Sequence, residues 1–209
     1  MTRDEFQKVL DSELSRLFQA ARQRDEFSFL FAVLGFNSGK EDAGWQPINE
    51  THALAADLLG LLNGPLHDDA KARIALFLYC HIIEANFLYH CLYNLLLTIE
   101  GQEPPRVFNF LDKYKDGIPP SVSAKLSEIK AKASAQKFQG INNIFDEIVR
   151  SDIRNAFFHS DYILFDGALR LKHRGPVLIP LSEVFQLVQK TINFFETFML
   201  LRSESLRSF

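Results

Sequence analysis

Apolar residues recur at helical intervals along most of the chain. Phe6, Val9, Leu10, Leu14, Leu17 and Phe18 form one stripe at 3,4 spacing, which predicts a first helix from about Arg3 past Ala21. A short apolar stretch, FSFLFAVLG, follows. Residues 35 to 50, GFNSGKEDAGWQPINE, bring Gly, Pro and Asn at close intervals and read as a loop. Thr51 is then placed to cap a helix over ALAADLLGLLN that stops at Gly64-Pro65. From about Asp68 to Glu100 the chain is apolar almost all round, as the central helix of a bundle should be, and Gly101 with Pro104-Pro105 ends it.

Further on, VFNFLDKYKD predicts a short helix, Pro119-Pro120 a break, and residues from about Ser121 to Gln136 a Lys-rich amphipathic helix. Ile141, Ile144, Phe145, Ile148, Val149, Ile153, Ala156 and Phe157 make a strong helical stripe. YILF-DG-ALRLKH reads as a β-hairpin with an Asp-Gly turn. Gly175-Pro176 resets the chain, and LSEVFQLVQKTINFFETFMLL forms a last amphipathic helix. The pattern predicts an all-α helical bundle with one small β-hairpin inserted before its final helix. It is read as a single domain over residues 1–209, with 1–65 as an N-terminal helical extension and 66–203 as the core. There is no internal repeat.

Composition agrees with one core: 209 residues, 47% hydrophobic, do not require a second domain. Twenty Phe against one Trp and two Met supply flat, rigid side chains, which also suit a self-association surface. MTRDEFQKVLDSEL lacks the apolar region of a signal peptide, so a cytoplasmic protein with two reduced thiols is expected. The run from Ile74 to Ile99 is long enough to span a bilayer, but His81, Glu84, Asn86, His90 and Asn94 interrupt it. Each would be costly in hydrocarbon, which favours a buried core helix and no membrane. Charge is uneven. Through position 104 there are 8 Lys+Arg and 15 Asp+Glu, and afterwards 15 and 11, giving −7 and +4 for the two parts. Any polyanion would meet the second part.

Several candidate chemistries fail on spacing. GFNSGKE at 35 to 41 is one residue short of a phosphate-binding loop and has Glu41 where Ser or Thr would hold magnesium. Cys80 and Cys91 on one helix would lie about 16 Å apart, too far to share an ion with His81 or His90. His81 and Glu84 have no second Glu-x-x-His copy to complete a di-iron bundle. His159-Ser160-Asp161 are consecutive, so their side chains diverge and cannot form a catalytic relay. No metal and no cofactor is expected.

Arg154, Asn155 and His159 remain, near the end of an apolar helix, within IRNAFFHSDYIL. With 12 Arg and 6 His in the chain, an Arg and a His four to six residues apart would occur about once by accident, and the adjoining Asn lowers that to about 0.05. R-N-x-x-x-H in the penultimate helix, followed by a Ser, an aromatic, a hairpin and a closing helix, resembles the signature of the HEPN (higher eukaryotes and prokaryotes nucleotide-binding) superfamily. These are small helical domains that are often ribonucleases. The resemblance is most specific over residues 140 to 200. In one toxin-like group of that superfamily a Tyr stands two positions after the His; here Tyr162 stands three after it, behind Ser160 and Asp161.

The residues have a physical logic of their own. Arg offers a permanently charged planar fork that suits a phosphodiester. An imidazole exchanges protons near neutral pH, so His159 could take one from a ribose 2′-hydroxyl or return one to a leaving 5′-oxygen. Asn155 shares a helix face with His159 and could hold the imidazole or a phosphate oxygen. Arg154, however, lies about 140° from His159 around an ideal helix, so a symmetric dimer would be needed to gather both groups at one cleft. Arg150, one turn before Arg154, would repel it in a bare helix. The resemblance implies such a homodimer, with metal-independent RNA cleavage that leaves a 2′,3′-cyclic phosphate. Arg154, Asn155 and His159 would be catalytic, and Arg150, Ser160, Tyr162 and Glu84, or Asn86 in its place, would assist at the substrate. The expected partners are RNA or a nucleotide, a second copy, and a cognate antitoxin or regulator. A non-catalytic nucleotide- or protein-binding module is the other reading of the same residues.

Overall fold

A computed structural model describes residues 1–34, 47–102, 121–173 and 175–209. Two of the sequence expectations, the loop GFNSGKE and the helix VFNFLDKYKD, lie outside those residues. The chain begins with α1 (Arg3–Arg24) and α2 (Glu26–Leu34), and continues with α3 (Pro47–Leu62), α4 (Asp68–Glu84) and α5 (Asn86–Glu100). Then come α6 (Val122–Ala135), α7 (Gln139–Ile148) and α8 (Ser151–Phe158). Three strands, β1 (Tyr162–Phe165), β2 (Ala168–His173) and β3 (Gly175–Pro180), precede the closing α9 (Leu181–Arg207). The fold is an all-α bundle with a small antiparallel sheet before its last helix.

Local chemistry explains where the helices start and stop. Thr2 and Glu5 form a reciprocal capping box: the Thr2 hydroxyl accepts from the Glu5 amide at 3.3 Å and the Glu5 carboxylate accepts from the Thr2 amide at 2.8 Å. Ser121 caps α6 through the Ala124 amide. Gly101 closes α5 in the left-handed conformation, at φ 76. It is the backbone conformation that calls for glycine: a Cβ there would meet only the end of the Arg24 side chain, which can shift. Helix α3 starts already at Pro47, which leaves Thr51 inside the helix and not at its cap.

The apolar stripe of α1 is buried at Phe6, Leu10, Leu14, Leu17, Phe18 and Ala21, with Val9 partly buried at its edge, and it packs against α5, α7 and α9. Rings interlock across these helices at edge-to-face angles, Phe18 with Phe29 and Phe198 and Phe145 with Phe194, a geometry favoured by the ring quadrupole. Helix α9 lies along α1 and α4 and buries Val184, Val188, Phe195 and Phe198 among others. The Asp68–Glu100 segment is long and apolar enough to cross a bilayer, yet more than half of that apolar window is buried inside the bundle.

The expected hairpin is present, with Tyr162 opposite Leu171 and Phe165 opposite Ala168. Asp166 and Gly167 both take positive φ, 47 and 70, as a two-residue turn matched to strand twist requires. Gly175-Pro176 does not reset the chain. It opens a third strand that pairs with β2, and prolines are tolerated because β3 is an edge. Leu169, Leu171 and Ile179 are buried, and the sheet packs on α8 and α9.

His90 on α5 is pushed down to about 3, chiefly by burial and secondarily by Lys125. Its unfolded counterpart titrates near 6.5, so the unfolded chain binds the proton first. The neutral imidazole therefore contributes full stability above about pH 6.5 and loses it as pH falls toward 3. Denaturant unfolding measured from pH 7 to pH 5 should show stability falling with a limiting slope of about 1.4 kcal/mol per pH unit, and His90→Gln should flatten it.

Candidate functional site

Two helices that the apolar pattern presents as continuous are broken, and the breaks create the site. The first break is at Ala85, between α4 and α5, where ψ of 97 takes the chain out of helix. A carbonyl of the last turn of α4, that of Ile83, is satisfied by the Tyr89 hydroxyl at 2.7 Å. The second break is at Val149 and Arg150, between α7 and α8, both extended, with ψ of 103 and 90. Here Tyr79 of α4 supplies the bonds: its hydroxyl accepts from the Arg150 amide at 2.9 Å and donates to the Arg150 carbonyl at 3.4 Å. Burial raises the Tyr79 phenol well above its ordinary value, keeping it protonated as that donation needs. Neither break contains Pro or Gly. Tertiary hydrogen bonds replace the helical ones, which is why local sequence does not show them.

The break before α8 brings Arg154 to the break after α4. The Arg154 Nε donates to Glu84 Oε1 in an ion pair, and its NH1 donates to Asn155 Oδ1 at 3.0 Å. The guanidinium also lies 5.8 Å from the centre of the Phe158 ring, within cation–π range. On the far side of Ala85, Asn86 Oδ1 accepts from the Lys125 ammonium. Glu84, Asn86, Lys125 and Arg154, drawn from four helices, thus surround one helix break.

His159 is not part of this hydrogen-bonded group. It is the exposed C-cap of α8, and Asn155, which could hold its imidazole or a phosphate oxygen, has its amide oxygen on Arg154. The reason is reach: the amide oxygen sits beside a fixed donor fork one residue away. Arg150 does not repel Arg154. As N-cap of α8 it bends onto Asp152 in a two-pronged pair at 2.9 and 2.7 Å, and that pairing holds the Asp152 carboxyl below its ordinary value. Ser160 is exposed at positive φ, 55, where the chain turns from α8 toward the sheet. Tyr162 stacks on Phe157 at 5.7 Å.

Beside the site is an aromatic surface. Phe157 contacts Phe77 and Phe158 at 6.4 and 6.0 Å, and those two are 43% and 52% exposed. His81 stacks on Phe77, and its buried Nε2 has no hydrogen-bond partner among the described residues. Cys80 and Cys91 are buried free thiols, each pushed up to about 12 by burial. Lys125 is the member of the cluster that sequence reading missed. Its signal was its phase: with Val122, Leu126, Ile129 and Ala133 it belongs to the buried stripe of α6, an unusual place for an ammonium.

Fold and site together define a helical bundle whose polar cluster sits where two broken helices meet. No family model, curated protein or solved structure matches the chain. Tyr79→Phe would leave the Arg150 amide without its partner, while the Arg150 carbonyl keeps the bond it accepts from the Arg154 amide at 3.0 Å. It should cost about 1–3 kcal/mol in chemical denaturation and speed hydrogen exchange at the Arg150 amide, while Tyr93→Phe, away from both breaks, serves as the control.

Proposed function

We propose that this protein is a metal-independent endoribonuclease of HEPN type, acting as a homodimer on single-stranded RNA. The observation that supports it best is the division of labour on α8. Arg154 is oriented from two sides by Glu84 and Asn155, while the imidazole of His159 is exposed and makes no hydrogen bond among the described residues. A cation held in place suits a phosphate clamp, and a free imidazole suits proton transfer.

In this reading His159 takes the proton of the ribose 2′-hydroxyl. The 2′-oxygen attacks phosphorus, the bond to the 5′-oxygen breaks, and an imidazolium returns a proton to that oxygen. The products are a 2′,3′-cyclic phosphate and a 5′-hydroxyl, and every step uses side chains only. Arg154 offsets the charge that builds on the phosphoryl oxygens, and Asn155 and Glu84 orient it. Arg150, Ser160 and Tyr162 would assist by contacting the flanking strand.

Because Arg154 turns inward and His159 outward, one copy does not aim both groups at one phosphate. Exposed Phe77 and Phe158 beside them give a twin α8 an apolar face to pack on, and an isologous pairing would set two copies of each residue around one cleft. A cytoplasmic location and control by a cognate antitoxin or regulator belong to the same reading. One observation favours the alternative, a non-catalytic nucleotide- or protein-binding module: Arg154 is already neutralised by Glu84.

His159→Ala should slow cleavage of labelled single-stranded RNA by about 10²- to 10⁴-fold with an unchanged melting curve, and wild type should cleave equally well in EDTA. Cleavage unaffected by the substitution, or abolished by the chelator, would overturn the mechanism. Saturable nucleotide binding without turnover would favour the module.

A further inference from the structure

Lys125 is 2% exposed. Its ammonium donates to the neutral Asn86 amide oxygen and lies 5.3 Å from the Tyr89 ring centre. A buried ammonium normally takes a carboxylate, and the carboxylate at hand, Glu84, is spent on Arg154. Burial lowers the Lys125 pKa, while the charge of Glu84 raises it and that of Arg154 lowers it further, so all three groups share one field. One acid therefore stands between two bases, and its two neighbours in the chain explain how: Glu84 and Asn86 flank Ala85, so the acceptor of Arg154 and the acceptor of Lys125 are adjacent across the break.

We propose that Glu84 is a counter-ion shared by Arg154 and Lys125: when Arg154 turns to a phosphate of a bound polynucleotide, Lys125 moves from Asn86 onto Glu84. This rests on the reading of Arg154 as a phosphate clamp and adds what regulates its release. Withdrawing Arg154 alone would strand a half-buried carboxylate, the costly way to break such a pair. Lysine suits the transfer, since a compact charge on a flexible four-carbon stem can move between neighbouring oxygens, whereas the planar fork of arginine suits the phosphate. Lys125 is then a positioning residue. It does not touch the RNA, and it determines how readily Arg154 becomes free.

The test reads binding, not cleavage, using a fluorescent single-stranded RNA with 2′-O-methyl riboses, which cannot be cut, titrated at physiological ionic strength. Lys125→Met should weaken binding about tenfold, the size of a typical coupling between sites, because Arg154 stays held by Glu84; Lys125→Arg should restore part of it. Asn86→Ala, at an exposed position, should act in the opposite direction and tighten binding severalfold by driving Lys125 onto Glu84. In a Glu84→Gln background Arg154 is already free, so adding Lys125→Met should change affinity by less than about twofold. A Lys125→Met effect equally large in both backgrounds, or no tightening by Asn86→Ala, would overturn the shared counter-ion while leaving the clamp intact. Binding insensitive to Arg154→Ala would overturn the clamp reading and this proposal with it.

Discussion

A peptide group released from a helix inside a protein must find another partner, and two tyrosine hydroxyls satisfy that demand here. Tyr89 takes up the Ile83 carbonyl beside the α4–α5 break, and Tyr79 takes up both peptide groups of Arg150 at the α7–α8 break. Without those bonds each break would expose buried backbone dipoles at a cost of a few kcal/mol. With them, α8 is free to leave the line of α7 and deliver Arg154 to Glu84. The position of the site follows from where these two phenols are buried.

The electrostatics of the cluster follow from the same geometry. Two bases and one acid meet around Ala85, and only one base can hold the acid well. A partly buried pair between Arg154 and Glu84 is neither a freely screened surface contact nor a permanently buried one, so it can be exchanged for a phosphate if another cation is ready. Lys125 is that cation by position. The aromatic surface of Phe77, Phe157 and Phe158 lies beside the pair, so the charged groups and the apolar face that a second copy would use are parts of one surface.

Much of the fold was legible because amphipathic periodicity reports directly on burial. The α1 stripe, the Lys-rich α6, the closing α9 and the Asp-Gly hairpin are found where the pattern puts them. The third strand was not legible, since prolines usually argue against a strand and only an edge position excuses them. Nor were the breaks at Ala85 and Arg150, because no residue in them disfavours helix strongly and the apolar stripes run straight through. Reading those helices as continuous also misplaced Arg150 and Asn155: repulsion between Arg150 and Arg154, and a pairing of Asn155 with His159, presuppose an unbroken helix and a free amide.

The sequence by itself determined the class of the fold, the presence of an Arg-Asn and a His on one short apolar segment, and the nearby surplus of phenylalanine, since each of these depends on local order and composition. Tertiary structure decided which residues meet. Glu84 and Arg154 are 70 positions apart, and Lys125 reaches Asn86 across 39; no local pattern encodes such contacts. They exist because buried backbone and buried charge must be paired, and only the packed arrangement of helices says with what.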